Sequence, residues 1–105
     1  MGLWLQSGEE MSINVFFYSD KSVQEVNTII QESLLMVLDK KSCAIYGALE
    51  ADDMIKEMAS EFGYQARSFF LVDLFESESM NEIVATIKSS FDRPVLALWQ
   101  NEKII

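Results

Sequence analysis

The sequence predicts an α/β fold, a three-layer sandwich whose mostly parallel sheet of four to five strands carries helices on both faces. Three observations lead there. Short runs of β-branched and aromatic residues alternate with segments of helical periodicity. Capping signals and turn residues separate the two kinds of segment. The third run is apolar throughout except for one aspartate, as suits a strand covered on both sides. Alternation of this kind argues for parallel strands joined by crossover helices.

Ile13 to Tyr18 reads as the first strand. Ser22 with Glu25 three residues on makes a capping box and opens a helix, with Val23, Val26, Ile30, Leu34 and Val37 or Leu38 on its apolar side. Asp39, Lys40, Lys41 and Ser42 punctuate, and Cys43 to Leu49 reads as the second strand. Asp52 and Asp53 suit a helix N-terminus; Met54, Ile55, Met58, Ala59 and Phe62 form its stripe, and Gly63 stops it. Ser68 to Leu74 is the third strand. A second capping box, Ser79 with Glu82, starts a third helix with Met80, Ile83, Val84, Ile87 and Phe91 on one side. Pro94 introduces the fourth strand, Val95 to Trp99, and Lys103 to Ile105 adds a short terminal strand after a turn at Asn101 and Glu102. The order is β-α-β-α-β-α-β with a terminal β. Residues 13–105 make one domain, and residues 1–12 stand outside the alternation as an N-terminal arm.

Composition removes most chemistry. The 105 residues include no histidine and one cysteine, which excludes an imidazole base, a Ser-His-Asp triad, a CxxC pair and a zinc knuckle. No P-loop or GxGxxG is present. No catalytic residue is assigned, and a binding or signalling role is favoured over catalysis. Seventeen acidic residues against eight basic ones give a net charge of −9, a surface that repels phosphate backbones and anionic headgroups. The expected partner is therefore a protein, not nucleic acid or membrane. No apolar run approaches the roughly eighteen residues of a membrane span. The first residues lack the basic region of a secretory signal, and the lone Cys43 gives no sign of an oxidising compartment, so the expected location is cytoplasmic.

One candidate site emerges. In an open parallel sheet, ligands bind beyond the carboxyl ends of the strands. Asp20 follows the first strand and Asp73 nearly ends the third, so neighbouring parallel strands would bring the two carboxylates together, with Glu50 nearby. Such oxygen ligands suit a weak Mg²⁺ site, with no other cofactor expected, and a Mg²⁺-dependent phosphoryl-handling domain is the reading that rests on Asp20 and Asp73 alone. The alternative is two strand-end carboxylates facing water. Cys43 and the methionines at helical spacing read as core. Leu3, Trp4 and Leu5 are apolar residues on an arm, suited to packing on the domain or on a second copy.

Two resemblances follow from particular residues. Phe69-Phe70-Leu71-Val72-Asp73-Leu74, with Arg93-Pro94-Val95-Leu96-Ala97-Leu98 after a helix, resembles the phosphoacceptor and fourth strands of response-regulator receiver domains. Val15-Phe16-Phe17-Tyr18-Ser19-Asp20 is similar to their first strand. The resemblance implies Asp73 as phosphoacceptor and Asp20 and Asp73 as Mg²⁺ ligands. Ser19 replaces an acidic residue, Trp99 stands where receivers carry Ser or Thr, and the last helix-strand-helix is missing, so a degenerate, non-catalytic receiver is implied. Separately, Pro94 to Ile105 resembles the cis-proline strand and hairpin of thioredoxin-like domains, here without CxxC, which implies a redox-inactive binding module with a cis Arg93–Pro94 bond. In either case the fourth strand should leave an open edge, predicting a homodimer through Trp99, Ile104, Ile105 or the Leu3, Trp4, Leu5 segment.

Overall fold

A computed structural model describes residues 13–37, 43–75, 80–99 and 103–105. It contains strands β1 (Ile13–Ser19), β2 (Cys43–Ile45), β3 (Leu49–Glu50), β4 (Ser68–Leu74), β5 (Leu96–Trp99) and β6 (Lys103–Ile104). Helix α1 (Val23–Ile29) runs on through a π-helical turn, Ile30–Leu34, into Leu35–Val37; α2 spans Asp53–Ser60 and α3 Met80–Ser89. The elements thus lie where the sequence pattern put them. Their pairing does not.

The sheet order is β2-β4-β1-β5-β6, with β3 also on β4, and every pairing is antiparallel. This overturns the mostly parallel sheet. Pairing directions make β1 parallel to β2, and β4 parallel to β5, so α1 and α3 are genuine crossovers between parallel strands. Each parallel pair is split by one antiparallel strand: β4 stands between β1 and β2, and β1 between β4 and β5. The result is a pair of interlocked split β-α-β units. Alternation in sequence reports the crossover; it carries no information about which strand slots into the gap.

Strand alternation divides the sheet into two faces. Val15 and Phe17 lie with Phe70, Val72, Leu74 and Ala97 against Val26, Ile30, Leu34, Ile83, Val84, Ile87 and Phe91 of the α1 and α3 side. Phe70 stacks on Phe17 at 5.1 Å and on Phe91 at 6.1 Å. On the other face, Tyr18, Leu96 and Leu98 meet Ala59, Ile55 and Met58 of α2. The π-helical turn serves the first face. Residues four apart drift by about 40° per step on an α-helix, and a wider turn offsets that drift, keeping Val26, Ile30 and Leu34 all buried.

The predicted strand Cys43 to Leu49 is broken. Ile45 pairs with Val72 but Leu49 with Phe69, so four steps on this strand match three on β4, a bulge at Gly47. The Ala48 N–H donates to Asn27 Oδ1 at 2.8 Å and the Tyr46 N–H to the Leu71 carbonyl, which replaces the lost ladder bonds. The first capping box forms as read, with the Glu25 N–H to Ser22 Oγ at 3.2 Å and the Ser22 N–H to Glu25 Oε1 at 3.0 Å. Asp52 caps α2. Ser79 and residues 1–12 fall outside the described residues, so the second capping box and the Leu3, Trp4, Leu5 contact do too.

The predicted open edge beside β5 is covered. β6 pairs with it, the Ile105 N–H donates to the Ala97 carbonyl, and Lys88 Nζ donates to the Ile105 carbonyl at 2.6 Å. Ile105 packs on the core and Trp99 is half-buried, leaving Ile104 the exposed member of that set.

Phe70 joins two stacked pairs at the centre of the larger core. Phe70→Ala is expected to cost about 3–5 kcal/mol, read as a lower midpoint in urea denaturation. A loss below about 1 kcal/mol would show that the stack is not where the core is concentrated.

Candidate functional site

Asp20 and Asp73 do not share a pocket. The register of β1 and β4 pairs Asn14 with Asp73 and runs the other way to Ser19 with Ser68, which places Asp20 at the opposite end of the pair. Asp20 lies six residue steps from Asn14, just past the end of β1, about 20 Å at roughly 3.3 Å per step. Convergence required parallel neighbours, and these are antiparallel. Asp73 accepts from the Tyr46 hydroxyl at 2.9 Å, an interaction that raises the Tyr46 phenol. Asp20 is bound by Arg93 Nη2 at 2.9 Å. Glu50 is exposed on β3. Among the described residues, no group of three or more Asp, Glu, Cys or His side chains stands close enough to hold a metal ion.

The antiparallel sheet instead gathers positive charge at one end. The C-terminal end of β1, the N-terminal end of β4 and the approach to β5 meet there. They bring Lys21, Arg67 and Arg93, with Lys56 from α2: four of the eight basic residues of the chain. A cleft of about 470 Å³ is lined there by Lys56, Arg67, Arg93, Asp20, Tyr64 and Gln65, with Ser60 and Ala66 completing its wall. A smaller hollow of about 210 Å³ adjoins it across Arg67.

Local structure fixes these side chains. The Arg67 N–H donates to the Ser19 carbonyl at 2.8 Å, and its own carbonyl accepts from Ala51 at 3.0 Å. Ser19 and Ser68 are buried and each is bonded to the backbone of Lys21: Ser19 Oγ accepts from the Lys21 N–H, and Ser68 Oγ donates to the Lys21 carbonyl at 2.8 Å. Lys21 itself pairs with Asp92 at 2.9 Å, which raises the lysine and lowers the aspartate. Gly63, with φ of 77°, ends α2 by a Schellman turn in which Tyr64 donates to the Ala59 carbonyl and Gly63 to that of Ser60. That turn aims Tyr64 across the cleft, where its hydroxyl donates to the Pro94 carbonyl at 2.7 Å.

None of Lys56, Tyr64, Arg67 and Arg93 was singled out from sequence as a site residue. A signal existed: Lys21, Arg67 and Arg93 each sit just outside a predicted strand end in an otherwise acidic chain. Only the antiparallel arrangement makes those three ends one place. Elsewhere, the broken edge strand and the start of α2 expose Tyr46, Leu49 and Met54.

Residues 11–103 match a family model described as CDI System Immunity Component. In three dimensions the chain is similar to a chain of the CdiA-CT/CdiI toxin and immunity complex from Burkholderia pseudomallei. The match has a TM-score of 0.77 at 26% identity and covers 88% of this chain and 95% of that one. No curated protein matches the sequence. These findings overturn both the receiver and the thioredoxin resemblance, as does the sheet: a receiver places parallel strands beside its first strand, and the Arg93–Pro94 bond is trans. A protein partner stands; neither comparison supports a homodimer. No described helix is long and apolar enough to cross a membrane.

Tyr64 reports on the cleft. Burial first, and the Asp20 carboxylate second, push its phenol from 10.0 up to about 12. The folded state holds this proton more tightly than the unfolded chain does. The associated stability is therefore complete below about pH 10 and is lost as pH rises through about 12. In an ultraviolet titration, subtracting Tyr64→Phe from wild type should isolate a phenol that ionises near pH 12. The variant should also lose about 1 kcal/mol at neutral pH through the missing hydrogen bond. A difference curve centred near pH 10 would mean that Tyr64 is not held across the cleft.

Proposed function

The chain belongs to the family of CDI system immunity components, and on that basis we propose that it neutralises a toxin domain of a contact-dependent inhibition system by binding it. The family match, which spans both cores of the domain, is the observation that carries this reading. The likeness to a chain from a toxin and immunity complex supports it. So does the surface, since Tyr46 and Met54 are exposed residues of kinds enriched at protein interfaces, with Leu49 exposed between them in sequence. Protection of this kind is stoichiometric: each molecule occupies one toxin molecule and releases no product. We place this action in the cytoplasm, since a chain with a single cysteine carries no disulfide framework of the kind oxidising compartments favour.

Isothermal titration calorimetry against the toxin domain of the same system tests this directly. A one-to-one complex with a Kd on the order of nanomolar is expected, and toxin activity should fall linearly to zero at one equivalent of this protein. Full inhibition at a small fraction of an equivalent would mean that the protein acts catalytically. Absence of a complex at micromolar concentrations, together with no protection of toxin-expressing cells, would sink the proposal.

A further inference from the structure

The basic cleft is at odds with the rest of the molecule. Over the whole chain acidic residues outnumber basic ones by 17 to 8, yet three cations face a single carboxylate here. That carboxylate, Asp20, is already engaged by Arg93. Neither Lys56 nor Arg67 forms a contact ion pair among the described residues; Glu25 interacts with Arg67 only at longer range, and Glu50 shares the adjoining hollow with it. Arg67 is no loose surface side chain at its root, because its backbone is bonded on both sides to Ser19 and Ala51.

Charge at this place acts locally. At physiological ionic strength the screening length is about 8 Å, so an anion inside the cleft responds first to the lining cations Lys56, Arg67 and Arg93 and only weakly to the more distant acidic surface. Resting on the immunity reading, we infer that this cleft is a socket for an aspartate or glutamate side chain of the toxin, held by Arg67 and Lys56 with Gln65 as a neutral donor. The volume of about 470 Å³ would suit a small molecule, but such sites are mostly apolar and enclosed. This one carries three cations and opens to solvent, which fits a projecting acidic side chain of a protein. An acidic residue docks here and is repelled by most other parts of the surface. The socket thus sets the orientation of the complex, the usual contribution of interfacial charge.

The test compares variants of equal charge. Arg67→Gln removes one positive charge in the cleft; Gln31→Glu adds one negative charge at an exposed position on the π-helical turn, on the other face of the sheet. Both lower the net charge by one. Calorimetry with the toxin domain should show Arg67→Gln weakening binding about tenfold or more and K56Q/R67Q about a hundredfold, with Gln31→Glu within about twofold of wild type. Thermal unfolding should stay at the wild-type value for all three, since these side chains are exposed. Sulfate, at ionic strength matched with chloride, should weaken the wild-type complex and leave K56Q/R67Q unaffected. Equal effects of Arg67→Gln and Gln31→Glu, with wild-type binding intact, would overturn the socket and leave the immunity reading standing. No binding by the wild-type protein would overturn both. RNA that binds the free wild-type protein, and is lost in K56Q/R67Q, would make the anion a phosphate and overturn the carboxylate assignment.

Discussion

The antiparallel pairing of β1 with both β4 and β5 is the constraint on which the rest of this protein depends. β1 is the central strand, and Val15, Phe17 and Tyr18 on it are fully buried, so its register cannot slip by one without exchanging the two cores. With that register set, α1 and α3 must fall on one side and α2 on the other. The same register decides which strand ends are neighbours. It sends Asp20 and Asp73 to opposite ends of the sheet and brings Lys21, Arg67 and Arg93 to one end.

The cleft that results is framed by groups that do no binding themselves. Two buried serines, at 1% and 0% exposure, would be costly without partners. Both spend their hydroxyls on the backbone of Lys21, locking the turn that leaves β1 against the start of β4. Gly63 supplies the left-handed residue without which α2 could not turn Tyr64 toward Pro94. The backbone of the proposed socket is thus fixed in advance, while the exposed Lys56 and Arg67 side chains remain to be ordered by a partner.

Electrostatics then divides the work between the whole surface and one small part of it. A net charge of −9 favours encounter with a basic partner over the range where screening permits. The local excess of cations around Arg67 opposes that trend within a single cleft. A partner that is basic overall and carries one well-placed acidic side chain satisfies both. On the proposed immunity reading, such a mixed pattern would give discrimination between partners that uniform charge does not.

Much of this was legible in the residues. Periodicity and caps located β1, α1, α2, β4, α3 and the terminal hairpin, because hydrophobic spacing and capping chemistry are local properties written into neighbouring residues. The absence of histidine and of paired cysteines directed attention to binding through composition alone. The bulge at Gly47 was not legible, since it arises from a register mismatch with β4 and a bond to Asn27, both distant in sequence. Strand direction was the larger gap. A crossover helix joins parallel strands whether or not another strand lies between them, so β-α-β alternation reads the same for a parallel sheet and for interlocked split units. Only the tertiary structure, by inserting β4 beside β1 and β1 beside β5, separated two aspartates that looked like partners and assembled a basic cleft from residues 56, 67 and 93.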